Sequence, residues 1–152
     1  MDEPSLPALS IALITVPSPE YKAACELRDG ILRRPLGLHL SQADTKDDHN
    51  QWHLGGFINN TLVGCVSAAK TNLQTQDFQI RQMAISDAMQ GYGLGKRLMQ
   101  FMETHLQSHG CKRIHLAARV TAQGFYERLG YVAISDVFIH NTLPHITMEK
   151  HF

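Results

Sequence analysis

The sequence predicts a mixed α/β domain, and three observations carry that prediction. Runs rich in apolar and β-branched residues alternate with stretches of helical apolar spacing, in the order β α β β β α β α β β. One strand-like run, "DFQIRQMAIS", passes through a short polar loop into a glycine series and then an amphipathic helix. The chain's 152 residues, 43% hydrophobic and 18% charged, are enough for one sizeable core. No repeat, low-complexity tract or long linker divides it, so residues 1–152 read as one domain.

Each element follows from local chemistry. "ALSIALITV" reads as the first strand. In "PSPEYKAACELRDGILRR", Ser18 can cap, Pro19 suits the first turn, and Tyr21, Ala24, Leu27 and Ile31 recur at helical spacing. Pro35 ends that helix. "QADTKDDHNQ" is polar and reads as a loop. "WHLGGFI" and "LVGCVSAAK" flank Asn59 and Asn60, which predicts a hairpin. "KTNLQTQD" reads as a polar turn before the "DFQIRQMAIS" strand. In the following helix Leu94, Leu98, Phe101, Met102, His105 and Leu106 share the apolar face. Lys96, Arg97, Gln100, Glu103, Gln107 and Ser108 take the other face, and Gly110 is the stop. "RIHLAA" is a strand, and "TAQGFYERLG" a short helix with Thr121 as cap and Gly130 as stop. "YVAISDVFI" and "HITMEKHF" close the sheet as two strands around "HNTLP".

Composition excludes several classes. The formal net charge is zero, which gives no electrostatic argument for nucleic acid or an anionic membrane surface. Cys25, Cys65 and Cys111 are scattered without CxxC spacing, which disfavours a disulfide framework or structural zinc and fits a reducing, cytoplasmic setting. "MDEPSLPALS" is acidic and proline-bearing, unlike a secretory leader, and the apolar run from Ala8 to Val16 is too short to span a bilayer.

The stretch "QGYGLGKRLM" needs a reason, because interior glycine costs a helix roughly 1 kcal/mol relative to Ala. A helix N-terminus offers free N–H donors and a partial positive charge, and glycines let an anion approach them closely. A pyrophosphate is the natural guest, with Gln90 adding an amide donor and Lys96 or Arg97 adding charge. The spacing is neither a P-loop nor a Rossmann GxGxxG. On the motif alone, a flexible loop before a loosely capped helix remains the alternative.

Gln90-x-x-Gly93-x-Gly95 resembles the acyl-CoA pyrophosphate motif of the GNAT acetyltransferase superfamily, and "FYERLGY" resembles that superfamily's second signature, in the expected order. The resemblance extends through "ELRDGILR", "WHLGGF", "FQIRQMA", "AARVTAQGFYERLGY" and "LPHITM" towards glyphosate N-acetyltransferase and its relatives. It implies a largely antiparallel central sheet flanked by helices, with two parallel strands splayed around the acyl-CoA arm. By resemblance these strands are "FQIRQMAIS" and "RIHLAAR". It implies acetyl-CoA held by Gln90, Gly91, Tyr92, Gly93, Leu94, Gly95 and Lys96, with backbone groups of Met83, Ala84 and Ile85 along the arm and the thioester. It implies direct acetyl transfer to the amine of a small molecule.

Within that resemblance Tyr126 is the candidate general acid, since a phenol with a pKa of about 10 stays protonated at neutral pH. His145, in "LPHITM", is the candidate general base, with an imidazole pKa of about 6.5. Arg33, Arg81 and Arg119 map onto arginines that hold an anionic substrate through guanidinium forks, with Arg28 a weaker fourth. Packing, an inert strand-start histidine and solvated surface charge are the respective bland alternatives. The divergent "RRPLGLHLSQADTKDDHNQ" leaves the particular acceptor undefined. A peptide acceptor, or an acyl-CoA-binding module without catalysis, stand as other readings. Homodimers are common in such folds, and nothing in the sequence proves one. His105 and His109 have metal-ligand spacing but no HExxH glutamate, so no metal is assigned.

Overall fold

Eight strands of one sheet run β1-β2-β3-β4-β5-β8-β6, with β7 also beside β8. The computed structural model describes residues 8–72 and 74–152; residues 1–7 of the acidic N-terminal segment and Leu73 of the polar turn lie outside the described residues. The strands are β1 (Leu9–Leu13), β2 (Trp52–Ile58), β3 (Thr61–Asn72), β4 (Asp77–Ile85), β5 (Arg113–Arg119), β6 (Val132–Ala133), β7 (Phe138–His140) and β8 (Leu143–His151). The helices are α1 (Pro19–Arg28), α2 (Gln42–Thr45), α3 (Leu94–Ser108) and α4 (Gln123–Arg128).

The hairpin between β2 and β3 turns at Asn59 and Asn60, both left-handed (φ 50° and 64°), which Asn tolerates and which matches strand twist. All sheet pairings are antiparallel except β4 with β5, which pair only over Asp77–Gln79 and Arg113–His115. Beyond that point the two strands part. On the other edge of β4, Cys65 faces Ala84 while Ser67 faces Arg81, so β4 carries one extra residue. Gln82 sits in that bulge with φ 50°. A bulge bends its strand and increases local twist, which turns β4 away from β5. The mixed sheet with one splayed parallel pair is the architecture the resemblance implied.

Alternation along β3 builds a core on each face. Val66 and Ala68 join Leu54, Phe78, Ile80, Ile114, Leu116 and Met148 under α3, whose Leu94, Leu98, Met99, Met102 and Leu106 are fully buried. Cys65 and Ala84 face the other way, towards Ala24 of α1 and Ile14.

Several expectations are corrected. The first helix does not run to Arg34; α1 ends at Arg28 and the chain continues as a π-helical turn (Asp29–Arg33) and a 3-10 turn around Pro35. The polar "QADTKDDHNQ" is not all loop, because Ser41 and Asp44 form a reciprocal capping box that nucleates α2. Thr121 does not cap α4; it lies in a 3-10 turn, and Ala122 precedes the helix without a side-chain cap. "YVAISDVFI" splits into β6 and β7, both on the same edge of β8, with Ser135 Oγ accepting from Thr147 N–H at 2.9 Å between them. On α3, Phe101 is 43% exposed while Met99 and Glu103 are buried. The helix leans towards β8, where Glu103 accepts from Tyr131 Oη (2.7 Å) and Lys150 Nζ (3.1 Å), leaving Phe101 over the β1 edge beside Ile11. Among the described residues no helix is long and apolar enough to cross a membrane.

This asymmetry has a measurable consequence. Leu98→Ala, at a site fully sealed between helix and sheet, is expected to cost about 2–5 kcal/mol in urea unfolding. Phe101→Ala is expected to cost less than about 1 kcal/mol. Equal costs would contradict this placement of α3.

Candidate active site

The gap between β4 and β5 opens into a cavity of about 1000 Å³. One end is the turn into α3. Gly91 and Gly93 are both left-handed (φ 86° and 79°), a conformation open to glycine without strain. Gly93 stands at the cap position with no side chain to accept the first N–H groups, so the helix start is left bare towards the cavity. Gly95 is small for another reason: a Cβ there would lie 3.3 Å from the Phe125 ring and 3.4 Å from Met83 Sδ. The three glycines therefore shape two turns and one close helix approach. A bare helix start beside a large cleft between splayed strands is a place where an acyl-CoA would fit.

Of the residues expected here, Met83, Ile85, Gln90, Gly91, Gly93, Leu94, Gly95 and Lys96 line the cavity. Tyr92 does not line it, and Ala84 is buried in the α1-side core, so Ala84 can face the cleft only through its backbone. Gln90 is not a free donor: its Nε2 donates to Ile85 O (3.2 Å) and Asp87 Oδ1 (3.3 Å), which braces the turn instead.

Tyr126 and His145 reach the same cavity from α4 and β8. The Tyr126 ring packs edge-on against Phe125 and Tyr131, and its hydroxyl makes no hydrogen bond to the described residues. Burial pushes its phenol up to about 12, so it remains a donor throughout the neutral range. His145 is buried, with Nδ1 placed 2.8 Å from Leu143 O. A carbonyl only accepts, so Nδ1 carries the proton and Nε2 is left as the acceptor. His140, which sequence reading did not single out, also lines the cavity with its ring 5.3 Å from that of His145. Burial, then the neighbouring His145 and Arg33, holds His140 below the usual histidine range. Its position at the end of β7, just before the two-residue turn at Asn141 and Thr142, carries no local sequence signal.

Arg33, Arg81 and Arg119 converge on the cavity from the turn after α1, from β4 and from β5. Their electrostatic states differ. Arg33 makes a two-pronged pair with Asp44 of α2 (2.9 and 3.2 Å), so its charge is matched. Arg81 donates to Gln51 Oε1 (2.9 Å) and Arg119 to Leu32 O (3.4 Å), and neither has a carboxylate within 4.0 Å among the described residues. Burial and the nearby Arg33 lower the Arg119 pKa. Arg28 is not a cavity arginine. It is buried under α1, donating to Asp48 Oδ2 (2.7 Å) and to the side chain of Gln82. Tyr21 Oη donates to the same Asp48 oxygen (2.6 Å), and His53, whose pKa burial lowers, bridges Asp48 O and Ser67 Oγ. The available signal was Arg28 itself, four residues after Ala24 and three before Ile31 on the helix's apolar stripe. The rings of His105 and His109 pack at a tilt against each other, and Trp52 meets His105 edge-on and His109 at a tilt.

Asp44 supplies a pH test. Hydrogen bonds from Arg33 and Ser41 hold its carboxyl down at about 2 against burial. A lowered folded-state pKa stabilises above the unfolded value and is lost as pH falls through the folded one. The urea-midpoint difference between wild type and Asp44→Asn should be full above about pH 4 and shrink towards pH 2. A difference that does not change over that range would contradict the ion pair.

Residues 41–152 match the family model described as the acetyltransferase (GNAT) domain. Protein ElaA of Escherichia coli strain K12 is 27% identical over 99 residues, which spans 64% of this chain and 65% of ElaA. The uncharacterised protein YyaT of Bacillus subtilis strain 168 is 26% identical over 117 residues, 74% of this chain and 77% of that one. The crystal structure of ElaA superposes with a TM-score of 0.83 at 22% identity, covering 94% of this chain and 99% of the other. An aminoglycoside 6'-N-acetyltransferase complexed with coenzyme A superposes at 0.75 with 17% identity, covering 93% and 96%. The structural likenesses establish the fold. With the family model matched over well more than half of its residues, the chain belongs to the acetyltransferase (GNAT) domain family.

Proposed function

We propose that the protein is an acetyl-CoA-dependent N-acetyltransferase that moves the acetyl group directly to the amine of a small anionic molecule. The observation that carries the acceptor class is the pair Arg81 and Arg119, both in the cavity wall and both without a carboxylate partner among the described residues. The resemblance of the arginine segments and of "LPHITM" to glyphosate N-acetyltransferase supports the same reading. Arg33, matched by Asp44, holds the wall in place more than it binds the anion.

The thioester supplies an activated acetyl group when bound. His145 Nε2 takes the proton from the attacking amine, while its Nδ1–H stays anchored on Leu143 O. As the resemblance implies, a backbone N–H of the Met83–Ala84 stretch would meet the carbonyl oxygen as negative charge grows there. Tyr126 donates its phenolic proton towards the departing sulfur and recovers it from solvent. Nitrogen–carbon bond formation and carbon–sulfur cleavage thus leave an amide and a free thiol.

The direct test is thiol release from acetyl-CoA against a panel of acidic amino acids, aminophosphonates, amino sugars, polyamines and lysine peptides. Turnover among the anionic amines is expected; turnover on peptides alone would replace the acceptor reading. Tyr126→Phe is expected to lower kcat about a hundredfold with acetyl-CoA binding nearly intact, measured by steady-state kinetics and titration calorimetry. Unchanged turnover would remove Tyr126 from the mechanism. Arg81→Glu is expected to raise the KM of an acidic acceptor about a hundredfold, and that of a neutral one far less. Equal effects would remove the anion from the reading.

A further inference from the structure

Gln82 occupies the bulge of β4, left-handed at φ 50°, and lines the cavity between Arg81 and Met83. In a regular strand, consecutive side chains alternate faces; the bulge lets Arg81, Gln82 and Met83 all border the cleft. Gln82's oxygen is not free. Arg28 Nε donates to it, and a guanidinium has no lone pair to offer, so the amide must present its oxygen to Arg28. Its NH₂ group is left with no hydrogen-bond partner among the described residues, on a side chain that borders open cavity. The cation behind it is 1% exposed and is itself held by Asp48 at 2.7 Å, which Tyr21 grips at 2.6 Å. This fixes the amide's orientation, and the charge on Arg28 polarises it, making the outward N–H groups stronger donors.

We propose that Gln82 is a specificity-determining donor of the acceptor site, reading an oxygen of the acceptor's carboxylate or phosphonate group alongside Arg81. This rests on the acetyltransferase reading for its biological meaning, but the contact itself requires only an anion. A group that can only donate, such as a second ammonium, meets donors from Gln82, Arg81 and Arg119 and is rejected.

The experiment uses the full chain with coenzyme A and two probes lacking an amine, methylphosphonate and succinate. Binding is followed through the side-chain NH₂ signals of Gln82 in ¹⁵N-resolved NMR. At least one probe is expected to bind and to move those signals, which a purely structural glutamine would not show. Gln82→Met, which keeps the volume and loses the donor, is expected to weaken that probe about three- to tenfold. In Gln82→Glu one oxygen still accepts from Arg28 and the other puts negative charge into the cleft, so weakening of about tenfold or more is expected. Thermal melts of both variants check that α1 and β4 remain folded. If neither probe binds the wild type, or binding leaves the Gln82 signals in place, the inference is overturned. Equal affinity in the wild type and both folded variants would also overturn it. Anion binding at Gln82 with no acetyl transfer to any amine would instead overturn the function proposed above and leave this contact standing.

Discussion

The parting of β4 from β5 after three paired residues is the constraint on which the rest of the site depends. A parallel pair held together along its whole length would fill the space with ladder hydrogen bonds and leave no cleft. The bulge at Gln82 prevents that by bending β4, and the buried Arg28 holds the bulge from behind. The later part of β4, the end of β5 and the bare start of α3 border one cavity because of this divergence.

The device is costly in isolation. A left-handed non-glycine residue inside a strand carries strain, and a buried guanidinium loses its hydration. Both costs are offset locally. Arg28 has a carboxylate and an amide oxygen as partners, and Asp48 is shared with Tyr21. His53 and Ser67 complete the network on the α1 side of the sheet. The apolar core under α3 lies on the opposite face, so the polar network does not interrupt the packing of Leu98, Met102 and Leu106.

Charge is arranged unequally across the cavity. Arg33 is quenched by Asp44, which the α2 capping box aims at it, whereas Arg81 and Arg119 keep their charge open to the cleft. Tyr126, protonated at neutral pH like any phenol, is pushed further from ionisation by burial, and His145 keeps one nitrogen free because the other is committed to a carbonyl. Donors and acceptors on the cavity wall are therefore assigned before any ligand arrives, which lowers the reorganisation a reaction there would require.

By itself the sequence determined what local periodicity and turn chemistry can express. That includes the β2–β3 hairpin at Asn59 and Asn60, α3 with its buried Leu94, Leu98, Met102 and Leu106, and the glycine turn ahead of it. It also includes the signature motifs that brought Tyr126, His145 and three arginines into consideration. The hairpin, the helix and the glycine turn each rest on residues within one or two turns of each other, whereas the three arginines are distant in sequence and came into consideration through the resemblance alone. Only the tertiary structure decided which charges are spent. Nothing local names their partners: Arg28 is buried against Asp48, and Arg33 meets Asp44. It decided too that Gln90 braces a turn, that Phe101 is exposed, and that Gln82 and His140 border the cleft. The physical reason is that a charge or an amide takes its role from its nearest partner in space, and these partners lie on elements that sequence periodicity cannot bring together.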